Sequence, residues 1–562
     1  MTLRTVLLIG TASWAGAGLA TALCLAPARA QAAGLKLGSS NVAVIEPAIS
    51  HPNATPCVVP LITNTQFVDF NPVNYNYTPP SACPPPWSVV VLKMHLSLNA
   101  GIQYDRSGLL FLDGVPLWFG TTAEPSPSLA PDWQFQKDVT EYTALFESAQ
   151  AGQVDIGNLV NSTYTGIITA SAELDFYPVT KGYPAPVTAD VVLPLPGGGG
   201  ATTLGGPTNT MSITTTFPTN VLQAKADLYL QGQGGDEFWY TCVPNSFTSE
   251  LESCGGGGLR EGEISVDNSP AGVAPVFPWI FTGGIDPLLW QPVPGVQTLD
   301  FTPFTADLSP FAGLLSNGQP HTIAVSVYGD NNYFQTTGAL RLFLDHGASQ
   351  VTGAVTENTL AATPTVVTTP NIVSANGAAT GTIDTSDTRD FTIQGTVTGS
   401  AGTSVYTVTQ NSSFANNQRF NVTATRDQQD INQTTTVAET STNAGPSGTT
   451  TNTEQLSWPL TVDIVFASTP AGNYKQTTSI NQNYLSSGQT FLDSGLLTQF
   501  TLNDSIATAD TLKISGGGYI TGNTGQSQTA SYLSTTPTSC FQRTLAAVAN
   551  ALTEAQTGCT TP

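Results

Sequence analysis

Apolar positions recur at every second residue through most of the chain, in short runs cut by Gly, Pro, Asn and Ser. Val89-Val90-Val91-Leu92 leads into an alternating Met94, Leu96 and Leu98. Residues 165–177 alternate through Ile167, Ala170, Ala172, Leu174 and Phe176. Ile323, Val325 and Val327 share one face of 321–328, and 339–344 reads as the strand returning beside it. Period-two runs separated by turn residues predict antiparallel sheets. With 53 Gly and 39 Pro, turns are well supplied. The expected fold class is all-β: two adjacent jelly-roll or β-sandwich units and a C-terminal β-rich domain. One brief helix is predicted over 544–556.

Composition places the boundaries. Residues 1–30 hold one early arginine, Arg4, an apolar run from Val6 to about Leu25, and Ala28-Arg29-Ala30. That is the layout of a secretory signal peptide rather than a membrane anchor. Residues 31–85 form an N-terminal extension, 86–185 a first sandwich and 186–350 a second, with the Pro- and Gly-rich 193–200 as a loop. From 351 to 562 the chain turns to Thr, Ser, Asn and Gln. It keeps alternation there, as in Phe391/Ile393/Val397 and Leu460/Val462/Ile464, so a β-rich domain is expected rather than disorder.

Beyond Cys24, six cysteines fall into three local couples: Cys57 and Cys83, Cys242 and Cys254, Cys540 and Cys559. Six cysteines allow 15 connectivities, but nearest-neighbour pairing needs no long-range docking before closure. All six are expected in structural disulfides. None has C-x-x-C spacing or a nearby histidine, so no zinc or other metal is expected.

Charge changes the picture further. Only 10% of residues are charged, against roughly 25% in an average protein. Removing the signal takes away two basic residues and no acid, leaving 14 − 39 = −25. Nucleic acids and anionic membrane surfaces both want clustered Lys and Arg, so neither is an expected partner. So few bases leave little self-repulsion once carboxylates are protonated, and a protein that works in acid is expected.

Against that background, the charges at 103–125 stand out. Gln103-Tyr104-Asp105-Arg106-Ser107-Gly108 opens an apolar strand, Asp113-Gly114 makes a tight turn, and the return strand ends in Thr122-Ala123-Glu124-Pro125. A hairpin would bring Asp105 and Glu124 to the same end of neighbouring strands. A second cluster, Gly232 to Tyr240, sets Asp236 and Glu237 before Phe238, Trp239 and Tyr240. Aromatic faces beside carboxylates suit carbohydrate, although the pattern alone favours an ordinary strand in which Phe238 and Tyr240 are core and Trp239 is merely exposed.

The order of Gln-Tyr-Asp-Arg-x-Gly at 103–108, Thr-Ala-Glu-Pro at 122–125 and Lys-Asp-Val-Thr-x-Tyr at 137–142 resembles the acidic peptide:N-glycanase A family. So do Asn158-Leu159-Val160-Asn161 with Tyr164-Thr165-Gly166, Asp236 to Tyr240, and Phe281-Thr282-Gly283-Gly284-Ile285-Asp286-Pro287-Leu288-Leu289-Trp290. The resemblance spans about residues 85–350 and continues weakly to Ser-Cys-Phe-x-Arg at 539–543 and Cys559. It implies cleavage of the amide joining the first N-acetylglucosamine to asparagine, with N-glycosylated peptides or proteins as partners, no cofactor, and a secreted or periplasmic, monomeric enzyme. A more distant likeness to the flavobacterial type, built as two jelly rolls with the site between them, sets Asp105 on the principal catalytic aspartate and Arg106 on its neighbour. Acids of that type would fall near Asn158 and Gly256, neither an acid here, so Glu124 or Glu237 must replace the second carboxylate.

Chemistry reaches the same residues by elimination. His51, His95, His321 and His346 are scattered, and the cysteines are paired, so no Ser-His-Asp or Cys-His arrangement is available. Amide hydrolysis needs an activated water, a stabilised oxyanion and a protonated leaving nitrogen. Asp105 is expected to activate water, Arg106 to orient it or polarise the carbonyl, and Glu124 or Glu237 to donate the proton. Asn158, Asp236, Trp239 and Tyr240 are expected to grip the core sugars, with Trp290 either joining them or lying in the core. A non-catalytic carbohydrate-binding β-sandwich adhesin and a carboxylate-pair glycoside hydrolase are the rival readings.

Overall fold

The computed structural model describes residues 30–31, 34–46, 48–468, 473–515, 518–521, 524–536 and 538–560. Of the expected signal peptide only Ala30 is among them, and Cys24 lies outside. Strands dominate, arranged in five sheets among the described residues.

The first unit is a sandwich of two four-stranded sheets. One sheet runs in the order Cys57–Phe67, Ile168–Pro178, Trp87–Leu98, Asp132–Asp138; the other runs Val73–Tyr77, Gln150–Ile156, Ser107–Leu112, Val115–Thr121. Alternate side chains from both inner faces, among them Leu92, Leu96, Leu110, Leu112, Val154 and Phe176, make one core. Two of the eight strands come from the stretch read as an extension. The first sandwich therefore takes strands upstream of residue 86, and Cys57–Cys83 joins the first of them to the loop before Trp87.

The second unit repeats this order. Val191–Leu195, Tyr333–Leu344, Val221–Gln233 and Phe304–Asp307 form one sheet, with the short Thr202–Leu204 added to Tyr333–Leu344. Met211–Thr216, Pro320–Tyr328, Glu261–Val266 and Ser269–Pro275 form the other. Setting that short strand aside, each unit places its first, eighth, third and sixth strands opposite its second, seventh, fourth and fifth.

The two sandwiches meet along a packed and hydrogen-bonded seam. Phe119 sits edge-on to Phe301 at 5.0 Å and beside Tyr229 at 5.9 Å. Backbone bonds run from Thr121 N to Thr298 O (2.9 Å) and from Phe301 N to Phe119 O (2.8 Å). Arg341 binds Glu141 at 2.5 Å and Asp227 at 2.9 Å, and Lys137 binds Asp300 at 2.5 Å. A seam built this way fixes two loop sets against each other.

Residues beyond 351 supply twelve strands of a thirteen-stranded antiparallel sheet, a meander of hairpins whose longest strand, Ala378–Gly399, has 22 residues; the thirteenth is Ala30–Gln31, paired with Ala551–Thr560. Its inner face covers the second sandwich, and Phe391, Ile393, Leu460, Val462 and Ile480 join that unit's core. The predicted helix over 544–556 is instead a hairpin. Thr538–Val548 and Ala551–Thr560 pair across Ala549 and Asn550, both at positive φ (50° and 59°), and Leu545, Ala547 and Leu552 are buried. The apolar residues there fit both periods, and burial against the sheet selects period two. Residues 38–46 are tied to the same hairpin: Gly38 N donates to Leu552 O, and Arg543 Nη1 donates to the carbonyls of Val44 and Glu46.

Candidate active site

Asp105 and Glu124 meet because a hairpin folds them together. Asp113 and Gly114 take positive φ (48° and 76°) in the turn between Ser107–Leu112 and Val115–Thr121, and Ser107 pairs with Thr121 at the open end. Just beyond that end, Arg106 N donates to Thr122 Oγ1 (3.0 Å), Thr122 N donates to Arg106 O (2.9 Å), and Asp105 N donates to Glu124 Oε1 (3.2 Å).

The second sandwich supplies the opposite wall. Thr282 Oγ1 donates to Thr122 O (2.6 Å), which draws the 282–284 turn across the seam. Gly283 N then donates to Asp105 Oδ2 at 2.9 Å. A Cβ at Gly283 would stand 3.0 Å from Asp105 Oδ1 and collide with the Glu124 carboxylate, so the backbone approaches as only glycine permits. Gly283→Ala is expected to lower kcat about 100-fold, the scale of an ångström's misplacement, with the melting temperature little changed; steady-state kinetics and calorimetry check both.

Electrostatics divides the carboxylates. Burial raises the Asp105 pKa, opposed by the Gly283 N–H and by Arg106. Burial first, then the Asp105 charge, pushes Glu124 up to about 8. The same two causes push Glu237 up to about 7. The Asp105 charge helps raise both glutamates and neither glutamate raises Asp105, so Asp105 is the group favoured to ionise and its charge keeps the other two protonated. Arg106 donates from Nη2 to Gln103 Oε1 (2.7 Å) and lies 6.0 Å from the Tyr104 ring centre, while its Nε is buried without a partner.

The residues expected to grip sugar lie behind this surface. Asn158 is fully buried, and its Nδ2 donates to Phe67 O (2.8 Å) and Gly166 O (3.1 Å), tying down the loop beside Gln103. Asp236 is also fully buried. It accepts from Arg260 Nε (3.0 Å) and Nη2 (2.6 Å) and from the N–H groups of Asn331 (3.0 Å) and Asn332 (2.5 Å), locking the turn before Glu237. Trp239 and Tyr240 are buried in the core shared with the C-terminal sheet. Trp290 is buried too, and its Nε1 donates to Gly284 O at 2.8 Å. In this arrangement these five side chains shape the loops and present no face to solvent. Trp239→Ala is accordingly expected to destabilise by about 3–5 kcal/mol, the usual cost of emptying an aromatic core site, readable as a lower denaturation midpoint.

Exposed aromatics lie elsewhere. Tyr104 is 55% exposed, with its ring 5.5 Å from that of Tyr164. Ile102 and Leu159 are exposed on the same two loops. Tyr104 stood inside the sequence motif, but its exposure could not be read from the motif's spacing.

The C-terminal sheet reaches the site from behind. Amide side chains on its inner face donate to loop carbonyls: Asn416 to Tyr240 (2.9 Å), Gln418 to Cys242 (2.9 Å), Gln429 to Thr241 (2.7 Å). Along the next loop Gln482 binds Pro278 O (2.7 Å), Gln476 binds Ile285 O (3.0 Å) and Gln526 binds Val293 O (2.9 Å). These two loops carry Glu237 and Gly283. Cys242–Cys254 pins the first of them, and Cys540–Cys559 closes the last hairpin. Among the described residues, no group of three or more His, Cys, Asp or Glu is arranged to hold a metal ion.

Residues 49–360 match the family profile described as peptide N-acetyl-beta-D-glucosaminyl asparaginase amidase A. The chain belongs to this family. A curated relative, peptide-N4-(N-acetyl-beta-glucosaminyl)asparagine amidase A of Prunus dulcis, is 31% identical over 354 residues. That match covers 59% of this chain and 60% of the relative, so the chain spans less than two thirds of the relative's length. Among solved structures, PNGF-II overlays at a TM-score of 0.35 with 14% identity, covering 52% of this chain and 65% of that one. PNGase F, a glycosylasparaginase from Flavobacterium meningosepticum, overlays at 0.33 with 11% identity, covering 52% and 96%. The profile takes in Asp105, Glu124, Glu237 and Gly283 and stops at the start of the C-terminal sheet.

Proposed function

We propose that this chain is a secreted, acid-adapted amidase that hydrolyses the bond between an asparagine side chain and the innermost N-acetylglucosamine of an N-glycan, leaving aspartate and releasing the glycan. The observation that carries this reading is the meeting of three carboxyl groups at the seam, one favoured to ionise and two favoured to stay protonated. Asp105 takes a proton from water as the water oxygen attacks the amide carbon. The carbonyl oxygen gains negative charge, which Arg106 and a neutral carboxyl stabilise. Glu124 or Glu237 then passes its proton to the amide nitrogen, the C–N bond breaks, and the nitrogen leaves with the sugar. The exposed ring of Tyr104, set against the half-buried Tyr164, offers a face for sugar or peptide.

The same reading covers the remaining assignments. Three disulfides support an oxidising compartment. We read the shared strand order as two jelly rolls side by side, acting as a monomer, with 351–562 as a third domain. The test is a denatured glycopeptide incubated near pH 5 and weighed afterwards. Peptide carrying aspartate, together with an intact free glycan, is expected. A peptide that keeps one N-acetylglucosamine would make the chain a glycosidase, and an unchanged glycopeptide would favour the adhesin.

A further inference from the structure

Away from the carboxyl seam, a recess lies between the second sandwich and the C-terminal sheet. One part encloses about 250 Å³ and is lined by Phe277, Trp279, Trp458 and Tyr484, with Glu454 beside them. A second part of about 250 Å³ shares Thr305 and Glu454 with the first, and its lining turns polar through Lys225, Glu439, Asn452 and Gln489. Joined, they reach the volume of a small-molecule site, aromatic at one end and polar at the other.

The rings form a wall rather than a cage. Phe277 stands at 90° to Trp458 with centres 5.3 Å apart, and at 69° to Tyr484 at 5.4 Å. Trp458 stacks on Tyr484 at 5.8 Å and 22°. Rings in mutual contact leave no gap to enclose a cation between separate faces. A continuous aromatic wall suits the C–H face of a pyranose.

The polar groups narrow the choice. Trp279 and Trp458 are 7% and 3% exposed, and the indole N–H of each is buried without an acceptor. Both nitrogens are closed to solvent, so recognition falls to the polar end, to the amides of Asn452 and Gln489 and the carboxyls of Glu439 and Glu454. Burial raises the pKa of Glu454, and that of Glu439 to about 8, so in acid both carboxyls can donate as well as accept. Carboxyls outnumbering the one facing cation, Lys225, disfavour an anionic ligand.

We infer that this recess is a second saccharide-binding site, taking a neutral pyranose unit on the Phe277–Trp458–Tyr484 wall with its hydroxyls toward Glu454 and the polar end. It does not rest on the amidase reading, because no residue of the carboxyl seam lines it. It gives the C-terminal sheet a surface that could hold a glycan branch while the seam works on another part.

Titration calorimetry at pH 5 with N,N′-diacetylchitobiose and with mannobiose tests it. At least one sugar should give a saturable event that survives Asp105→Asn and Tyr104→Ala. Trp458→Leu should weaken that event at least about tenfold, a loss of roughly 1.4 kcal/mol. Asn452→Ala with Gln489→Ala, at the polar end, should weaken it in the same direction and decides the matter if Trp458→Leu fails to fold. Turnover of a short glycopeptide should be unchanged in the polar-end variant. The inference is overturned if neither sugar binds, if the recess variants bind as the parent does, or if tetramethylammonium displaces the sugar. These binding outcomes stand whether or not the chain cleaves glycopeptides.

Discussion

Asp105→Asn is expected to lower kcat/KM on a glycopeptide at least about 100-fold, the low end for loss of a general base. The substitution keeps the shape that receives the Gly283 N–H, so folding should be preserved and melting should shift by only a few degrees. A second effect follows from the charge removed. The Asp105 charge helps to raise Glu124 and Glu237, so both carboxyls should titrate at lower pH in the variant, which carbon-detected NMR can follow. An Asp105 that is neutral in the native protein would not move them. Glu124→Gln and Glu237→Gln should then separate: the proton donor loses kcat, while the other mainly raises KM. Near-parental activity in Asp105→Asn, or activity lost only through unfolding, would sink the assignment.

Thermal stability should be greatest in mild acid and fall as pH rises from about 4 to about 8. Seven buried carboxyls carry native values well above the ordinary range near 4. Burial is the leading cause in each: Glu261, Glu439 and Asp504 lie about 8 with Glu124, Asp286 and Glu237 about 7, and Asp330 about 6. Between the unfolded and native values the folded chain holds more protons than the unfolded one, so unfolding becomes easier as pH increases. Asp267 and Asp345 are lowered and act the other way, losing their contribution only in stronger acid. Scanning calorimetry at pH 4.5 and pH 8 should show a melting temperature lower by at least about 5 °C at the higher pH. A melting temperature that rises across this window would refute the account.

How much of this could be read from the residues depends on the interaction concerned. The period-two runs and the Asp113-Gly114 turn are local, and they place Asp105 beside Glu124 without further information. The opposite wall is not local. Gly283 is recognisable only as part of a motif, and its N–H contact with Asp105 spans 178 residues. Aromatic residues beside carboxylates suggested a sugar platform, but burial is decided by what else packs there. Phe414 of the C-terminal sheet covers Trp239, with ring centres 6.3 Å apart, and the Arg260 ion pair holds Asp236 inward. The Gln, Asn and Thr content after 351 reads as polarity alone. Its purpose is visible only once inner-face amides are seen to meet the carbonyls of loops more than 100 residues away.

The hairpin of residues 538–560 and the segment 34–46 are held by each other. Gly38 and the carbonyls of 44–46 find their partners in residues 543–552, with Arg543 and Val44 499 positions apart in sequence. Segment 34–46 therefore has no docking place until that distant hairpin has formed, a contact of very high sequence separation. During synthesis it would wait for this partner while the hairpin meander grows. The contact would close late, and a chain interrupted before residue 538 would leave segment 34–46 without its anchor.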